Sequence, residues 1–149
     1  MQKVKIRSAK SNDVPIILGL LNELGRPTPK KDSDVDAFRK LVKKYLKDSD
    51  KEILIAEYNE IEIIGMVSIM FLSRLNQTTY EMYIPELVVL ESFQNKGIGK
   101  KLIDSCIKLA KEKNCHRIRL ESGIQRKKSH NFYKNLGFQH SAHSFSKNL

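Results

Sequence analysis

Seven residues, Gln94-Asn95-Lys96-Gly97-Ile98-Gly99-Lys100, stand between an apolar run, Leu87 to Leu90, and an amphipathic segment, Ile98 to Ala110. A glycine-containing loop therefore leaves a strand and opens a helix. The first backbone N–H groups of a helix have no internal partner and carry the positive end of its dipole, and glycine lets the chain turn those amides toward a ligand. Such a loop is a cradle for an anion, phosphate above all. Two common phosphate loops fail on spelling. A nucleoside-triphosphate loop needs glycine at the position of Gln94 and Ser or Thr at that of Lys101, and a dinucleotide fingerprint needs a third glycine where Leu102 stands.

The chain around the loop is basic. The 149 residues carry a net charge of +10, and from Lys96 to Lys128 eleven basic residues face three acidic ones. Most of that excess flanks the glycine loop, where it would attract a phosphorylated ligand. Lys108, Lys111 and Lys113 read as the solvated face of a helix. A nucleic-acid module is the competing reading, but aromatic interleaving on a strand surface and any zinc or helix-turn-helix spelling are missing. The length suits one domain over 1–149. No apolar run approaches the roughly 20 residues of a membrane helix, and the alternating Lys3, Val4, Lys5, Ile6 reads as a strand, so a cytoplasmic protein is expected. Cys106 and Cys115 make neither a disulfide framework nor a metal site, and Cys106 falls on the apolar face of its helix.

Periodicity supplies the elements that must hold the loop. Val4 to Arg7 reads as a strand, and Ser11 or Asn12 as the cap of a helix with Pro15 in its first turn and Gly25 at its end. Arg26 to Asp34 reads as a link to a second helix carrying Val35, Phe38, Leu41, Val42, Tyr45 and Leu46. Ile53 to Tyr58, Ile61 to Leu72 and Thr79 to Leu90 read as a three-strand antiparallel meander. After the loop helix come a strand over His116 to Glu121, a helix over Ser129 to Leu136 closed by Gly137, and a final strand or pair from Phe138. The predicted class is α+β, a central mixed, mostly antiparallel sheet flanked by helices.

Gln94, Gly97 and Gly99 match the Gln/Arg-x-x-Gly-x-Gly/Ala loop with which GNAT (GCN5-related) N-acetyltransferases bind the pyrophosphate of acetyl-CoA. The element order β-α-α-β-β-β-α-β-α-β is similar to the GNAT fold over nearly the whole chain. Ser129-His130-Asn131-Phe132-Tyr133-Lys134-Asn135-Leu136-Gly137-Phe138 resembles the segment by which many of these enzymes set a tyrosine beside the CoA sulfur. The resemblance implies transfer of acetyl from acetyl-CoA to a primary amine by direct attack in a ternary complex. It also implies that the amides of Gln94, Asn95, Lys96, Gly97, Ile98, Gly99, Lys100 and Lys101 cradle the pyrophosphate. The main chain of Leu87, Val88 and Val89 would run along the pantetheine arm, and Tyr133 would be the general acid. Leu87-Val88-Val89-Leu90 after Ile84-Pro85-Glu86, with Lys127-Lys128-Ser129-His130 and Phe145-Ser146-Lys147, is similar to small-molecule members such as aminoalkylphosphonate N-acetyltransferases, one option among small amines, and a homodimer through the C-terminal strands follows from the same resemblance. Peptide and protein N-termini, polyamines and aminoglycosides stay open as acceptors, as does a member that binds acyl-CoA without turnover.

The base is an acidic residue by chemistry, since an alkylammonium of pKa about 10 must lose a proton before attack. Glu86, next to Leu87, is the expected base, with Glu81, Glu57 and Glu121 as alternatives. Arg126 stands where many members carry an asparagine touching the cofactor, and it could reach a phosphate instead. His130 reads as a packing or hydrogen-bonding residue. His140 and His143, on the expected last strand, would point to opposite faces and share no metal, and none is expected elsewhere. The acceptor pocket is expected between the segment around Gly25 to Phe38 and the strand near Tyr80 to Tyr83.

Overall fold

The computed structural model describes residues 3–25 and 31–149. Of the link expected from Arg26 to Asp34, residues 26–30, which belong also to the expected acceptor wall, lie outside the described residues, and the second helix begins already at Asp32. The chain divides into two compact units, 1–119 and 120–149. The first holds β1 (Val4–Ser8), α1 (Val14–Glu23), α2 (Asp32–Lys47), β2 (Lys51–Tyr58), β3 (Glu62–Leu72), β4 (Glu81–Ile84), β5 (Leu87–Val89) and α3 (Ile98–Glu112), followed at its boundary by β6 (Arg117–Leu120). The second holds α4 (Lys127–Asn135).

The sheet runs β1-β2-β3-β4-β6, and β5 pairs with β3 below β4. Strands β1 to β5 pair antiparallel in every registered case. Between β2 and β3 the chain reverses at Asn59 and Glu60, both with positive φ, the backbone a two-residue hairpin needs to match the strand twist.

Alternation along the strands gives the sheet two apolar faces. Ile53, Ile55, Met66 and Val88 pack with Val14, Ile17 and Leu20 of α1 and Val42 of α2. The other face lies against α3, which packs on β1, β2, β3 and β5. Its buried residues, Ile98, Leu102, Ile103, Cys106 and Ala110, recur at helical spacing. Each such Leu or Ile contributes ~1.5–3 kcal/mol of burial. Cys106 is fully buried there, and burial pushes its thiol up to about 12, so it packs rather than reacts.

Three expectations change. The N-cap position of the helix after β1 is Asp13 rather than Ser11 or Asn12, and no side chain caps it. Ser11–Asp13 form a 3-10 turn, with the Asp13 carboxylate taking the Lys10 N–H at 2.7 Å and an ion pair from Arg7 at 2.9 Å. The third meander strand is two strands, broken at Pro85 and Glu86. No strand forms over 138–149, where most side chains are exposed and Phe145 is 92% exposed. That segment has no alternating apolar face to bury, and the surface on which the expected homodimer rested is not built from strands.

Candidate active site

The break in the third strand makes the site. Proline has no N–H for the ladder, and here Ser68 and Ile69 of β3 stand opposite three residues, Ile84, Pro85 and Glu86, so the chain bulges. Among the described residues β5, beyond the bulge, keeps only β3 as a partner, whereas β4 lies beside β6. Ser68 N donates to Glu86 O at 2.9 Å and Leu90 N to Ile64 O at 2.8 Å. Ladder alternation therefore turns the Val88 main chain toward Met66 and that of Leu87 and Val89 the other way. Gln94 Nε2 donates to Val89 O at 3.0 Å. The N–H and C=O of Leu87 and the N–H of Val89 line an edge with no strand partner among the described residues. Of the three residues expected along the pantetheine arm, two offer it main-chain groups, while the Val88 side chain is core. Gly65 allows this pairing: a Cβ there would sit 3.0 Å from Val88 O.

The glycine loop follows directly. Phe93 packs on Tyr58, ring centroids 5.1 Å apart, and Lys96 Nζ lies 5.4 Å from the Phe93 centroid. Asn95 (φ 61°) and Gly97 (φ 81°) are left-handed, and Gly97 is the N-cap of α3. The first internal bond of the helix is Lys101 N to Gly97 O at 3.1 Å, which leaves the amides of Ile98, Gly99 and Lys100 facing outward. No acidic residue stands in this first turn and no side chain caps it, so the dipole end is open to an anion. The Ile98 side chain is buried, so only its amide can serve. Lys100 pairs with Asp104 at 2.7 Å. Lys96 and Lys101 are exposed beside the cradle. Three amides, nearby lysines and an open strand edge leading to them fit a pyrophosphate carried on an extended arm.

Glu86 is half-buried at the bulge. Its carboxylate accepts a very short hydrogen bond from Ser68 Oγ, while its own N–H donates back to that oxygen at 3.0 Å. Ser68 is buried on the sheet face that meets α2. Tyr45 of α2 donates its hydroxyl to Ile69 O at 2.7 Å. Burial and the nearby charge of Glu86 push the Tyr45 phenol well above its ordinary value, so it stays protonated. Sequence reasoning passed over Ser68 and read Tyr45 as packing. The available signal was a lone serine inside an apolar β-strand run, which needs a partner when buried.

The other acidic candidates are engaged elsewhere. Glu81 is fully buried and takes ion pairs from Arg74 at 3.1 Å, Arg119 at 2.8 Å and Arg117. Burial alone would raise its carboxyl, but the three guanidiniums win and hold it at about 2, too weak a base to keep a proton taken from an amine. Glu57 pairs with Arg7 at 2.7 Å. Glu121 accepts from Ser144 Oγ at 3.0 Å. In the expected acceptor wall, Tyr83 is covered by the Arg119 guanidinium, 4.6 Å from its ring centroid.

Within the second unit, Tyr133 lies half-buried between Phe132 and Phe138, at centroid distances of 5.1 and 5.7 Å. Phe138 N bonds to Tyr133 O at 3.0 Å as the chain leaves α4 through Gly137, φ 90°. His130 Nε2 is 2.8 Å from Gly123 O and ties α4 to the turn before it. Arg126 is the exposed N-cap of α4. His140 and His143 do not sit on opposite faces: off any strand, their rings meet edge to face at 5.5 Å.

The model of the Acetyltransferase (GNAT) family matches residues 17–138, spanning both the bulged strand and the Tyr133 segment. The chain belongs to the GNAT acetyltransferase family. As a GNAT member it is an acyltransferase, with acetyl-CoA as cosubstrate. The aminoalkylphosphonate N-acetyltransferase of Salmonella typhimurium is 28% identical to it over 149 residues, all of this chain and 94% of that protein. A solved transcriptional regulator from Bacillus halodurans is 28% identical with TM-score 0.87, covering 99% of this chain and 100% of that one. The aminoglycoside N-acetyltransferase AAC(6′)-Iy, solved with CoA, shares the fold at 18% identity and TM-score 0.85, covering 100% and 96%. Among the described residues no helix is long and apolar enough to cross a membrane.

Proposed function

We propose that the chain, as a single GNAT domain acting in the cytoplasm, transfers acetyl from acetyl-CoA to the primary amine of a small molecule by direct attack in a ternary complex. The break at Pro85 and Glu86 carries this reading. It frees the β5 edge to hold an extended thioester arm and sets a carboxylate at the head of that edge. Acetyl-CoA supplies the activated acetyl group. The amides of Ile98, Gly99 and Lys100, with Lys96 and Lys101, hold its pyrophosphate. The outward main chain of Leu87 and Val89 pairs with the pantetheine arm, and one of its N–H groups hydrogen-bonds the thioester carbonyl as negative charge develops on oxygen. Glu86, held by Ser68, takes a proton from the acceptor's ammonium, and the neutral amine then attacks the thioester carbonyl. Tyr133 donates its phenolic proton toward the departing thiolate; this role rests on its sequence segment. The full-length likeness to an aminoalkylphosphonate acetyltransferase supports a compact amine as acceptor.

The test is thiol release from acetyl-CoA across a panel of small amines, peptides and aminoglycosides, with wild type and Glu86→Gln. Turnover on a small amine, with the acidic limb of the kcat/KM profile lost in Glu86→Gln, supports the reading. An unchanged acidic limb removes Glu86 from the mechanism. CoA binding by calorimetry without thiol release on any amine leaves a sensor instead of an enzyme with this acceptor.

A further inference from the structure

A second polar site lies at the other end of the bulged strand. A cleft of about 220 Å³ is lined by Arg74, Asn76, Gln77, His116 and Arg117. Every one of these side chains can donate a hydrogen bond, and no acidic side chain is in the lining. The nearby acid, Glu81, is fully buried beneath the arginines. Three guanidiniums meet this one carboxylate, so the cluster keeps a surplus of positive charge. Arg74 gives Glu81 an Nη2 bond and Arg117 gives it an Nε bond. A guanidinium has five N–H donors in a planar fork, so most donors of both remain for another partner. Arg74 and Arg117 are also about half-exposed, at 42% and 54% of the side chain.

Glu81 does more than neutralise charge. It fixes two forks that would otherwise repel each other and lose rotamer freedom on binding. The linings come from three places: the turn after β3, where Gln77 N bonds Arg74 O at 3.3 Å, the start of β6, and His116, whose N–H bonds Tyr80 O at 3.0 Å. His116 Nδ1 is also 3.0 Å from Thr79 Oγ1, which sets the ring orientation. The volume is below the ~300–1,000 Å³ of pockets for drug-sized ligands, so the ligand is small.

We propose that this cleft binds a small phosphate dianion, inorganic phosphate or the phosphate of a monoester, between the Arg74 and Arg117 guanidiniums. Along the strand it is about 25 Å from the glycine loop at ~3.3 Å per residue, so the two anion sites are distinct. The ligand is therefore separate from the pyrophosphate of acetyl-CoA, and it links the β3–β4 turn to the start of β6.

The experiment is an amide and side-chain NMR titration of the CoA-saturated protein, which occupies the glycine loop, at constant ionic strength. Inorganic phosphate and glycerol 3-phosphate are added separately, against sodium chloride as control. The expected result is saturable shifts at Asn76, Gln77, His116 and Arg117, weakened about tenfold or more in Gln77→Glu. That variant adds a negative charge to the cleft without touching the Glu81 pairs, and Asn76→Asp serves the same purpose if it folds poorly. Tighter binding of the monoester assigns the site to a phosphorylated metabolite, and equal binding to phosphate itself. Shifts that fail to saturate, that chloride reproduces, or that persist unchanged in both variants overturn the proposal and leave Arg74 and Arg117 as a clamp on Glu81 only.

Discussion

Replacing Glu81 by Gln tests the largest electrostatic commitment in the fold. The carboxyl is fully buried, and burial by itself would raise its pKa; the Arg119, Arg117 and Arg74 hydrogen bonds reverse this and lower it from 4.5 to about 2. A carboxyl that titrates there instead of near 4.5 contributes about 3 kcal/mol to folding at neutral pH. The sign follows from the depressed value. The contribution is complete above the unfolded pKa, near 4.5, and is lost as pH falls from there through about 2. Breaking a buried pair by removing one partner costs about 3–5 kcal/mol, and the partial exposure of Arg74 and Arg117 puts this site at the low end. For a chain of this length about 3 kcal/mol corresponds to a Tm lower by about 6–12 °C. Urea unfolding followed by circular dichroism should show that loss at pH 7, shrinking to about 1 kcal/mol by pH 2.5 as the unfolded carboxyl protonates, and vanishing only below about pH 2. A variant within about 1 kcal/mol of wild type at pH 7, or two stability curves that run parallel from pH 5 to 2.5, would refute the assignment.

Gly97→Ala forces a Cβ onto a residue at φ 81° with open space around it; the cost of about 1–2 kcal/mol falls on the cradle conformation, so the KM for acetyl-CoA should rise about fivefold or more with little change in Tm. Gly65→Ala puts a Cβ 3.0 Å from Val88 O, so β5 must move from β3; stability should fall by about 1–3 kcal/mol and kcat/KM should fall with it. Tyr133→Phe should reduce kcat by about tenfold or more while CoA affinity measured by calorimetry stays within error; an unaffected kcat excludes the phenol from proton transfer. Cys106, with its thiol pushed up to about 12 by burial, should resist iodoacetamide at pH 8 in the native protein and label fully in urea, as mass spectrometry would report.

The helices and the glycine loop were legible because their signals are local. Apolar spacing over Ile98 to Ala110 and glycine at its start need no partner elsewhere to be read. The bulge was not local. Pro85 sits in an apolar run that scores as continuous strand, and only the register with Ser68 and Ile69 shows that three residues oppose two. Ser68 itself becomes informative once Glu86 is opposite it. Glu81 read as a spare base because its arginines lie 7, 36 and 38 residues away. The over-read element was the tail. A final strand or pair was expected from Phe138 onward, yet propensity alone cannot hold one without a face to bury.

The same discontinuity gives two acidic residues close in sequence different surroundings. Glu81 and Glu86 are five residues apart, and without a bulge they would project to opposite sides of a continuous strand. The extra residue at the bulge restores Glu86 to the face of Ser68, whose cross-strand partner is Ile53 in the core cluster under α1 and α2. There its carboxylate accepts from the Ser68 hydroxyl. Glu81, on the regular part of the strand, meets three guanidiniums. A carboxylate held by three cations is stabilised as an anion and keeps its charge, which suits a structural node or a cationic cleft above it. The extra residue beside Pro85 therefore leaves the outer β5 edge without a strand partner among the described residues and sets Glu86 opposite Ser68, the two features on which the proposed mechanism rests.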